Sequence, residues 1–346
     1  MCIRVTLLIA ALIFSLEPGT PAVAQEAAKS PPAGQPDEFQ QAVENGRVFA
    51  SQGRVDEAIA ELCRAAKLRD GNCSKCFETI GLLYFRSGKY KDAAPAFRQS
   101  AELKPPNEAQ VYNILGVALY MQNEKGAFTE AAAALQRAID LSKGQVVKAY
   151  YNLGFALIKA GKEQEGIAAL KKYLEVNPDA TEASQARAVA ANPKLVDARF
   201  AQPFVVKSHK GDDLSLEKLR GKVVLLDFWA SWCLPCRVDI PEVKKIWTTH
   251  GGDQFTVIGI NLDSNREQFE TYMKEEGITW LQYYDGLGWG NKISQLYGVY
   301  AIPHTILIDR DGVIQAEGLR GAELAAKVSA MLTALKTGAS GSSTIK

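Results

Sequence analysis

A glycine recurs through the first half of the chain at nearly constant spacing, and this repeat limits the folds that the segment can adopt. Gly46, Gly81, Gly116 and Gly154 are separated by 35, 35 and 38 residues. A large apolar residue follows each glycine three positions later, then a turn, then a second apolar pattern with helical spacing. Because positions three and four apart share one face of a helix, each unit is expected to be a pair of helices joined by a turn. Such pairs bury a continuous core only by stacking on one another.

These units resemble the tetratricopeptide repeat, a helix–turn–helix unit of about 34 residues. We expect residues 38–192 to form an all-α solenoid of four repeats with a capping helix, after a flexible linker at residues 25–37 that is rich in Pro, Ala and Gln. The longer third unit predicts a short insertion in the turn near Asn123-Glu124-Lys125. The resemblance implies a concave groove that binds a peptide or a partner protein, and the alternative is a spacer or a dimerisation module.

In the second half, two cysteines three positions apart follow a hydrophobic strand and open a helix. The strand is Val223 to Phe228, and a short turn then leads to Cys233 and Cys236. Since residues i and i+3 of a helix share a face, these two cysteines can close a disulfide with little backbone movement. The helix N-terminus carries partial positive charge and unpaired N–H groups, which stabilise a thiolate on the first cysteine. The arrangement indicates thiol–disulfide exchange.

Residues 197–336 alternate strands with helices around this motif, and they resemble the TlpA-like extracytoplasmic thiol–disulfide oxidoreductases. The resemblance is carried by the run Leu226 to Cys236, by Pro241, by Ile302-Pro303 ahead of Thr305 to Asp309, and by the turn Asp309 to Gly312. It implies an α/β thioredoxin-like domain, a central mixed sheet flanked by helices, followed by a flexible tail at residues 337–346. The chain departs from the family at Asp239, where glutamate is usual.

The chemistry and the resemblance together suggest roles for the site residues. Cys233 is expected to attack a substrate disulfide, and Cys236 then resolves the mixed disulfide. Asp227 matches the buried carboxylate that accepts a proton from Cys236, although it could instead be a strand residue hydrogen-bonded under the helix. The resemblance also implies a cis peptide bond before Pro303, with Ile302 offering its backbone to an extended substrate.

Three further residues near the motif leave alternatives open. Trp229 and Trp232 are expected to pack around the disulfide, and we assign Trp232 to substrate binding as well. Both tryptophans could equally belong to the core. His304 follows the expected cis-proline, where its charge could tune the thiolate, or it could be a strand-end residue with no catalytic role.

Three other cysteines lie in the repeat region, and their pairing stays open. The favoured interpretation is a structural disulfide between Cys63 and either Cys73 or Cys76, because the helices that carry them are expected to pack side by side. The alternative is a second redox pair, Cys73 with Cys76, which lacks a preceding strand and neighbouring tryptophans. A zinc site would need a fourth ligand, and no histidine lies nearby in sequence. We therefore expect no metal, and no cofactor beyond the Cys233–Cys236 disulfide.

Residues 1–24 have the pattern of a secretory signal peptide. A short basic start precedes an apolar run of twelve residues from Val5 to Leu16, and Ala22-Val23-Ala24 forms a cleavage site. An uncleaved membrane anchor is the alternative, but the run is well short of the roughly twenty residues that span a bilayer. We expect the mature chain to be soluble in the periplasm or another extracytoplasmic compartment.

Together these patterns predict an exported thiol–disulfide oxidoreductase whose repeats recruit protein clients. A formal net charge of +1 gives no indication of nucleic-acid binding. The Leu-Pro pair between the cysteines resembles reducing members of the family, so a reductase that receives electrons from a membrane-bound disulfide reductase is favoured. The alternatives are a repeat scaffold with a redox-inert thioredoxin fold and a peroxiredoxin-like peroxidase. A peroxidase would carry a lone cysteine after a Thr-x-x motif, whereas Ala230-Ser231-Trp232 precedes Cys233.

Overall fold

The computed structural model describes residues 37–336, which form two compact units. The predicted signal peptide, the predicted tail and all but the last residue of the predicted linker lie outside the described residues. Among residues 37–336, no helix has the length and apolar character that a membrane crossing requires.

The first unit is built from helix pairs, as the repeat pattern predicts. Its helices are α1 Glu38–Ser51, α2 Val55–Lys67, α3 Ser74–Arg86, α4 Tyr90–Glu102, α5 Glu108–Met121, α6 Lys125–Leu141, α7 Val147–Lys159 and α8 Glu163–Val176. A further helix, α9 (Ala183–Ala191), follows in the sequence where the capping helix is expected, although its residues 183–188 belong to the second unit. The all-α solenoid of the predicted fold class is thereby confirmed.

The recurring glycines lie where the two helices of a pair cross. A Cβ atom added to Gly116 on α5 would lie 2.4 Å from Cγ of Leu135 on α6. One added to Gly81 on α3 would lie 2.7 Å from the ring of Phe97 on α4. Since interiors are packed as densely as organic crystals, any larger residue at these positions would force the pair apart. This contact is the physical origin of the glycine spacing.

The predicted position of the insertion, in the turn of the third helix pair, is wrong. The turn between α5 and α6 is residues 122–124, as long as the turn between α3 and α4 at residues 87–89. The added residues instead lengthen the second helix, which has 17 residues in α6 against 13 in α4. The extra helical turn is stabilised because it buries Ala127 and Phe128, and the Phe128 ring packs 5.4 Å from that of Tyr120.

The favoured disulfide through Cys63 is also wrong. Cys73 is bonded to Cys76, and Cys63 is a free thiol. Cys73 is the N-cap of α3 and Cys76 lies one turn inside it, which brings their Cα atoms to 5.3 Å, within the range that a disulfide spans. Cys63 packs instead against a separate cluster that includes Ile59 and Leu83, whereas Cys73 and Cys76 belong to another cluster.

The second unit is a five-stranded mixed sheet with helices around it, which confirms the predicted α/β thioredoxin-like architecture. Its strands and helices are β1 Val205–Lys207, β2 Asp213–Ser215, β3 Val223–Trp229, α10 Leu234–His250, β4 Phe255–Asn261, α11 Arg266–Glu275, β5 Leu281–Tyr284, α12 Lys292–Tyr297, β6 His304–Ile308, β7 Ile314–Glu317 and α13 Gly321–Lys336. Strands β1 and β2 form a separate antiparallel pair, and the main sheet has the order β5-β4-β3-β6-β7.

The centre of the main sheet is fully buried, as its uninterrupted apolar sequence requires. Strands β3 and β4 are parallel and every residue in both is buried. Strand β6 runs antiparallel to β3 on the other side. The end of β3 therefore has a neighbour on each side, and this end leads directly into the cysteine motif.

Candidate active site

The Cys233–Cys236 disulfide lies at the start of α10. Cys233 is the N-cap residue of the helix, and the Cys236 backbone N–H donates to its Sγ at 3.2 Å. Cys233 is 4% exposed and Cys236 is 1% exposed, and the first turn of α10 carries no acidic residue. The helix N-terminus can therefore stabilise a thiolate on Cys233, the less buried of the two.

A buried carboxylate accepts hydrogen bonds from the loop between β3 and α10 and holds it in place. Ser231 donates to Asp263 twice, from its backbone N–H at 2.9 Å and from its hydroxyl at 2.7 Å. The Asn261 amide donates to the same carboxylate at 2.7 Å, and Asp263 is fully buried. Asp263 is absent from the residues selected from sequence. Its position two residues after the end of β4 is the signal that could have identified it, because the carboxyl ends of adjacent parallel strands meet at one edge of a sheet.

The proline loop precedes β6 and approaches the end of β3. The Ile302–Pro303 peptide bond is cis, which confirms that expectation from the resemblance. His304 pairs with Phe228 in the sheet, so Pro303 lies one position beyond this pair, toward the cysteine loop. Ile302 is partly buried and packs against the core of the unit.

Asp227 is a buried carboxyl group inside β3. It pairs with Gly259 of β4 and Thr305 of β6, and its Oδ2 has no hydrogen-bond partner within the described part of the chain. Burial, together with the negative charge of Asp239, raises the pKa of Asp227 to about 7. A carboxyl group with this pKa can take up or release a proton near neutral pH.

An ion pair joins α10 to the residue that precedes α13. The Arg320 guanidinium donates from Nε to Asp239 Oδ2 at 2.5 Å and from Nη2 to the Pro235 carbonyl at 3.5 Å. Asp239 thus has a cationic partner, and Arg320 also contacts the backbone between the two cysteines. Arg320 is a residue that the sequence analysis misses, since 81 positions separate it from Asp239.

The two tryptophans of the motif lie in different environments. Trp229 is fully buried in the core, where its indole N–H donates to Gln282 Oε1 at 3.0 Å. Trp232 is 54% exposed, and its ring lies 6.3 Å from that of Trp289, which is also exposed. Trp229 is therefore a core residue, and Trp232 forms an exposed aromatic pair next to Cys233. No sequence pattern links Trp289 to the motif.

His304 lies in a partly buried environment that disfavours a positive charge. Burial lowers the pKa of His304 below its ordinary value. Its ring packs 6.1 Å from that of Phe228. Among residues 37–336, no group of three or more His, Cys, Asp or Glu side chains is placed to hold a metal ion.

Comparisons with known proteins match the two units separately. The sequence model of the AhpC/TSA family matches residues 198–317, and those of the tetratricopeptide repeat match residues 79–146 and 147–180. The "Thioredoxin-like protein YneN" of Bacillus subtilis (strain 168) is 33% identical over 124 residues, which cover 35% of this chain and 70% of that protein. The "Thiol-disulfide oxidoreductase ResA" of Bacillus anthracis is 29% identical over 125 residues, which cover 36% of this chain and 70% of that protein.

A solved structure is also similar to part of the chain. It is a thiol-disulfide oxidoreductase from Bacteroides fragilis NCTC 9343, with 32% sequence identity and a TM-score of 0.36. The match covers 38% of this chain and 98% of that one.

Proposed function

The chain belongs to the AhpC/TSA family of thioredoxin-fold proteins and is a thiol–disulfide oxidoreductase, and on this premise we propose that it is an exported reductase of protein disulfides. The observation that carries the proposal is the Cys233–Cys236 pair at the N-terminus of α10. The less buried sulfur is the one that the helix end can stabilise as a thiolate. The Asp227 carboxyl on the adjoining strand supplies a group that titrates near neutral pH.

The reaction is two successive exchanges. The Cys233 thiolate attacks a client disulfide, forms a mixed disulfide and releases one client sulfur as a thiolate. Cys236 then loses its proton and attacks Cys233 Sγ, which releases the second client sulfur and closes the Cys233–Cys236 bond. The client gains two electrons and the pair loses two. Another dithiol must reduce the pair before the next turnover, and we assign this step to a membrane-bound disulfide reductase.

Asp227 is the proton acceptor that makes the second exchange possible. A thiol must lose its proton before it can attack a disulfide, and Cys236 is almost completely buried from water. Because the pKa of Asp227 is raised to about 7, the group is ready to accept this proton at neutral pH and to release it again. No metal and no cofactor other than the cysteine pair take part in this mechanism.

Exposed apolar side chains around the motif support a protein client. Trp232, Leu234 and Val238 flank the cysteines in sequence, and all three are exposed. Apolar groups that lie together on a surface mark contacts with other chains. We infer that they hold an apolar stretch of the client, while the Ile302 backbone pairs with an extended segment beside Pro303.

The helix pairs would recruit the client or its complex. Half-buried tyrosines recur on the first helices of the second, third and fourth pairs: Tyr84, Tyr112, Tyr120 and Tyr150. Tyrosine gives a large contact area at a small cost in side-chain entropy, and it is enriched where protein surfaces bind. These residues are therefore candidates for a groove that binds a peptide or protein.

Export rests on the N-terminal sequence pattern. Cleavage after Ala24 would leave a mature chain that begins at Gln25. Mass spectrometry of the protein recovered from a periplasmic extract of the native host checks this directly. An intact Met1 on the recovered protein would contradict it.

Trapping a mixed disulfide tests the exchange reaction. In a Cys63→Ala background, Cys236→Ala leaves Cys233 without its resolving partner, so clients are expected to remain bound to Cys233 after alkylation. The matched control adds Cys233→Ala, which should abolish every such adduct. Absence of adducts, together with no dithiol-dependent reduction of insulin by the unmutated chain, would contradict the proposal and favour a scaffold. Consumption of a hydroperoxide without any adduct would favour a peroxidase.

The direction of electron flow requires a separate measurement. Equilibration of the Cys233/Cys236 pair with glutathione mixtures gives its reduction potential. A reductase is expected to have a potential well below that of the glutathione couple. A potential above that couple would make the protein an oxidase or an isomerase instead.

A further inference from the structure

The helical unit contains a second cysteine pair with the same local geometry as the first. Cys73 is the N-cap of α3, and the Cys76 backbone N–H donates to its Sγ at 3.2 Å. The equivalent bond between Cys236 and Cys233 is also 3.2 Å. In both pairs the Cα atoms are 5.3 Å apart and a disulfide joins the sulfurs.

The order of burial is also the same. Cys73 is 8% exposed and Cys76 is 2% exposed, so the N-cap cysteine is again the more accessible. The first turn of α3 has no acidic residue, and the following carboxylate, Glu78, is paired with Lys75 at 3.1 Å. Little negative charge therefore opposes the helix N-terminus, which can stabilise a thiolate on Cys73 as it does on Cys233.

This disulfide holds no two helices together. It closes a loop within the first turn of α3, and the stabilisation that a crosslink gives through the unfolded chain is smallest for the shortest loops. Other contacts already fix this end of the helix. The Ser100 hydroxyl on α4 donates to the Ser74 carbonyl at 2.9 Å, and the cysteines pack against small apolar residues, including Ala42 and Ala65. Opening the bond would leave these contacts in place.

We propose that the Cys73–Cys76 disulfide is a second thiol–disulfide exchange site, which accepts an electron pair from a protein dithiol. A thiolate of the donor attacks Cys73 Sγ, the bond between the cysteines breaks, and Cys76 leaves as a thiolate that takes up a proton. The second thiol of the donor then loses its proton and attacks the donor sulfur that is bonded to Cys73. This attack breaks the mixed disulfide and releases Cys73. The donor becomes a disulfide, and Cys73 and Cys76 together gain two electrons and two protons.

Two dithiols have the chemistry of this donor. One is the reduced Cys233/Cys236 pair of a second copy of this chain, and the other is a dithiol on a different protein of the thioredoxin type. The attack on Cys73 is the same in both cases. The tests below therefore supply each donor separately.

The first experiment isolates the second site in the full-length chain. Cys233→Ser and Cys236→Ser, combined with Cys63→Ala, leave Cys73 and Cys76 as the pair to be assayed in the mature protein. The variant is equilibrated in glutathione mixtures, alkylated, and analysed by peptide mass spectrometry and circular dichroism. We expect both thiols to appear and to disappear again reversibly, with helicity unchanged. Resistance to reduction until the helices unfold, or loss of helicity on reduction, would overturn the proposal.

The second experiment identifies the donor. The oxidised variant from the first experiment is mixed either with the Cys73→Ala/Cys76→Ala chain, reduced at Cys233 and Cys236, or with reduced thioredoxin. Electron transfer from the first donor assigns the chain's own pair, and transfer from thioredoxin alone assigns another protein. No transfer from either would overturn the proposal.

Trapping at Cys73 distinguishes this site from the first one. In the variant without Cys63, Cys233 and Cys236, Cys76→Ala should accumulate a mixed disulfide with glutathione at Cys73, and adding Cys73→Ala should abolish it completely. These two variants lack the Cys233/Cys236 pair. Their result can therefore be interpreted even if that pair fails to reduce clients. Conversely, Cys73→Ala/Cys76→Ala should leave insulin reduction by the first pair unchanged.

Discussion

The two units each carry a cysteine pair at the start of a helix, and the pairs differ in everything beyond that helix. At Cys233–Cys236, a buried strand precedes the motif, Asp227 lies within that strand, and the strand that follows Pro303 pairs beside it. At Cys73–Cys76, the surroundings are the apolar faces of neighbouring helices. The comparison shows that a helix N-terminus is sufficient to place the two sulfurs, whereas the buried carboxyl group and the cis-proline loop beside Cys233–Cys236 come from the strands of the sheet.

Substituting the N-cap cysteine of each pair in turn gives the largest expected difference, which is in the rate of insulin reduction. Cys233→Ala should abolish dithiol-dependent reduction of insulin, because the remaining thiol of the pair, Cys236, is only 1% exposed and cannot reach a disulfide of the client. Cys73→Ala should leave the rate unchanged, since insulin reduction depends on the features of the second unit alone. Turbidity assays on both variants check this, and equal losses would show that the two pairs act as one site.

Removing the carboxyl group that we propose as the proton acceptor is expected to give the next largest change. Asp227→Asn should slow the attack of Cys236 about 100-fold, in the range typical of general acid–base groups. In the unmutated chain the rate should rise with pH through about 7, as the carboxyl ionises, and this dependence should disappear in the variant. Quenched-flow measurement of mixed-disulfide decay against pH tests both expectations. A pH profile that survives the substitution would remove Asp227 from the mechanism.

The same carboxyl group gives a stability prediction with a definite sign. Because its pKa is about 7 in the folded chain and 3.8 in a free side chain, the folded state holds the extra proton between these values, and stability falls as pH rises through this window. Asp227→Asn should therefore stabilise the oxidised protein by up to about 4 kcal/mol at about pH 8, and very little at about pH 4. Urea unfolding at both pH values measures the difference. Equal effects at the two pH values would contradict the shifted pKa.

A matched pair of glycine substitutions tests what holds the helical unit together. Gly116→Ala places a Cβ 2.4 Å from Leu135 and should cost about 2 kcal/mol through overpacking. Gly126→Ala on α6 meets nothing within 4 Å and should stabilise the unit by about 0.5 kcal/mol, as helix propensity predicts. Thermal unfolding of both variants is the measurement, and insulin reduction should be unaffected by either. Equal changes would mean that helix crossing does not limit residue size at Gly116.

The smallest expected effect concerns the charge beside the active pair. Asp239→Asn should lower the pKa of Asp227 because it removes the negative charge that helps to raise it, and this change should be small, since burial is the larger cause. The pH midpoint of mixed-disulfide decay reports this shift. The matched substitution Arg320→Gln leaves Asp239 without its cationic partner and should move the midpoint the other way. Shifts in the same direction would show that the pair acts through helix position instead of charge.

Local sequence patterns predicted the features that depend on residues close together in the chain. The glycine spacing identified the helix pairs because each glycine contacts a residue on the second helix of the same pair. The strand before Cys233 and the helix after it were readable for the same reason. The pairing of Cys73 with Cys76 was named only as the alternative, because the expected side-by-side packing of the helices also brought Cys63 within reach. The sequence does not show which cluster the Cys63 side chain joins.

Contacts between distant segments could not be read in this way. Asp263 holds Ser231 across two adjacent strands, and Arg320 reaches Asp239 from the far end of the unit. The helical periodicity likewise could not distinguish a longer turn from a longer helix in the third repeat. Burial of Phe128 decides this, and it is a tertiary contact.

By itself, the sequence determined that one half of the chain stacks helix pairs, that the other half surrounds a strand with helices, and that two cysteines begin a helix after that strand. Only the tertiary structure decided that, within residues 37–336, Cys63 stays unpaired, Trp229 faces the core while Trp232 faces outward, and Asp227 is buried without a partner for its Oδ2. The physical reason is the range of the interactions. Helix and strand formation depends on neighbours a few positions away, whereas burial, and with it the pKa of Asp227, depends on which distant segments pack above and below a side chain.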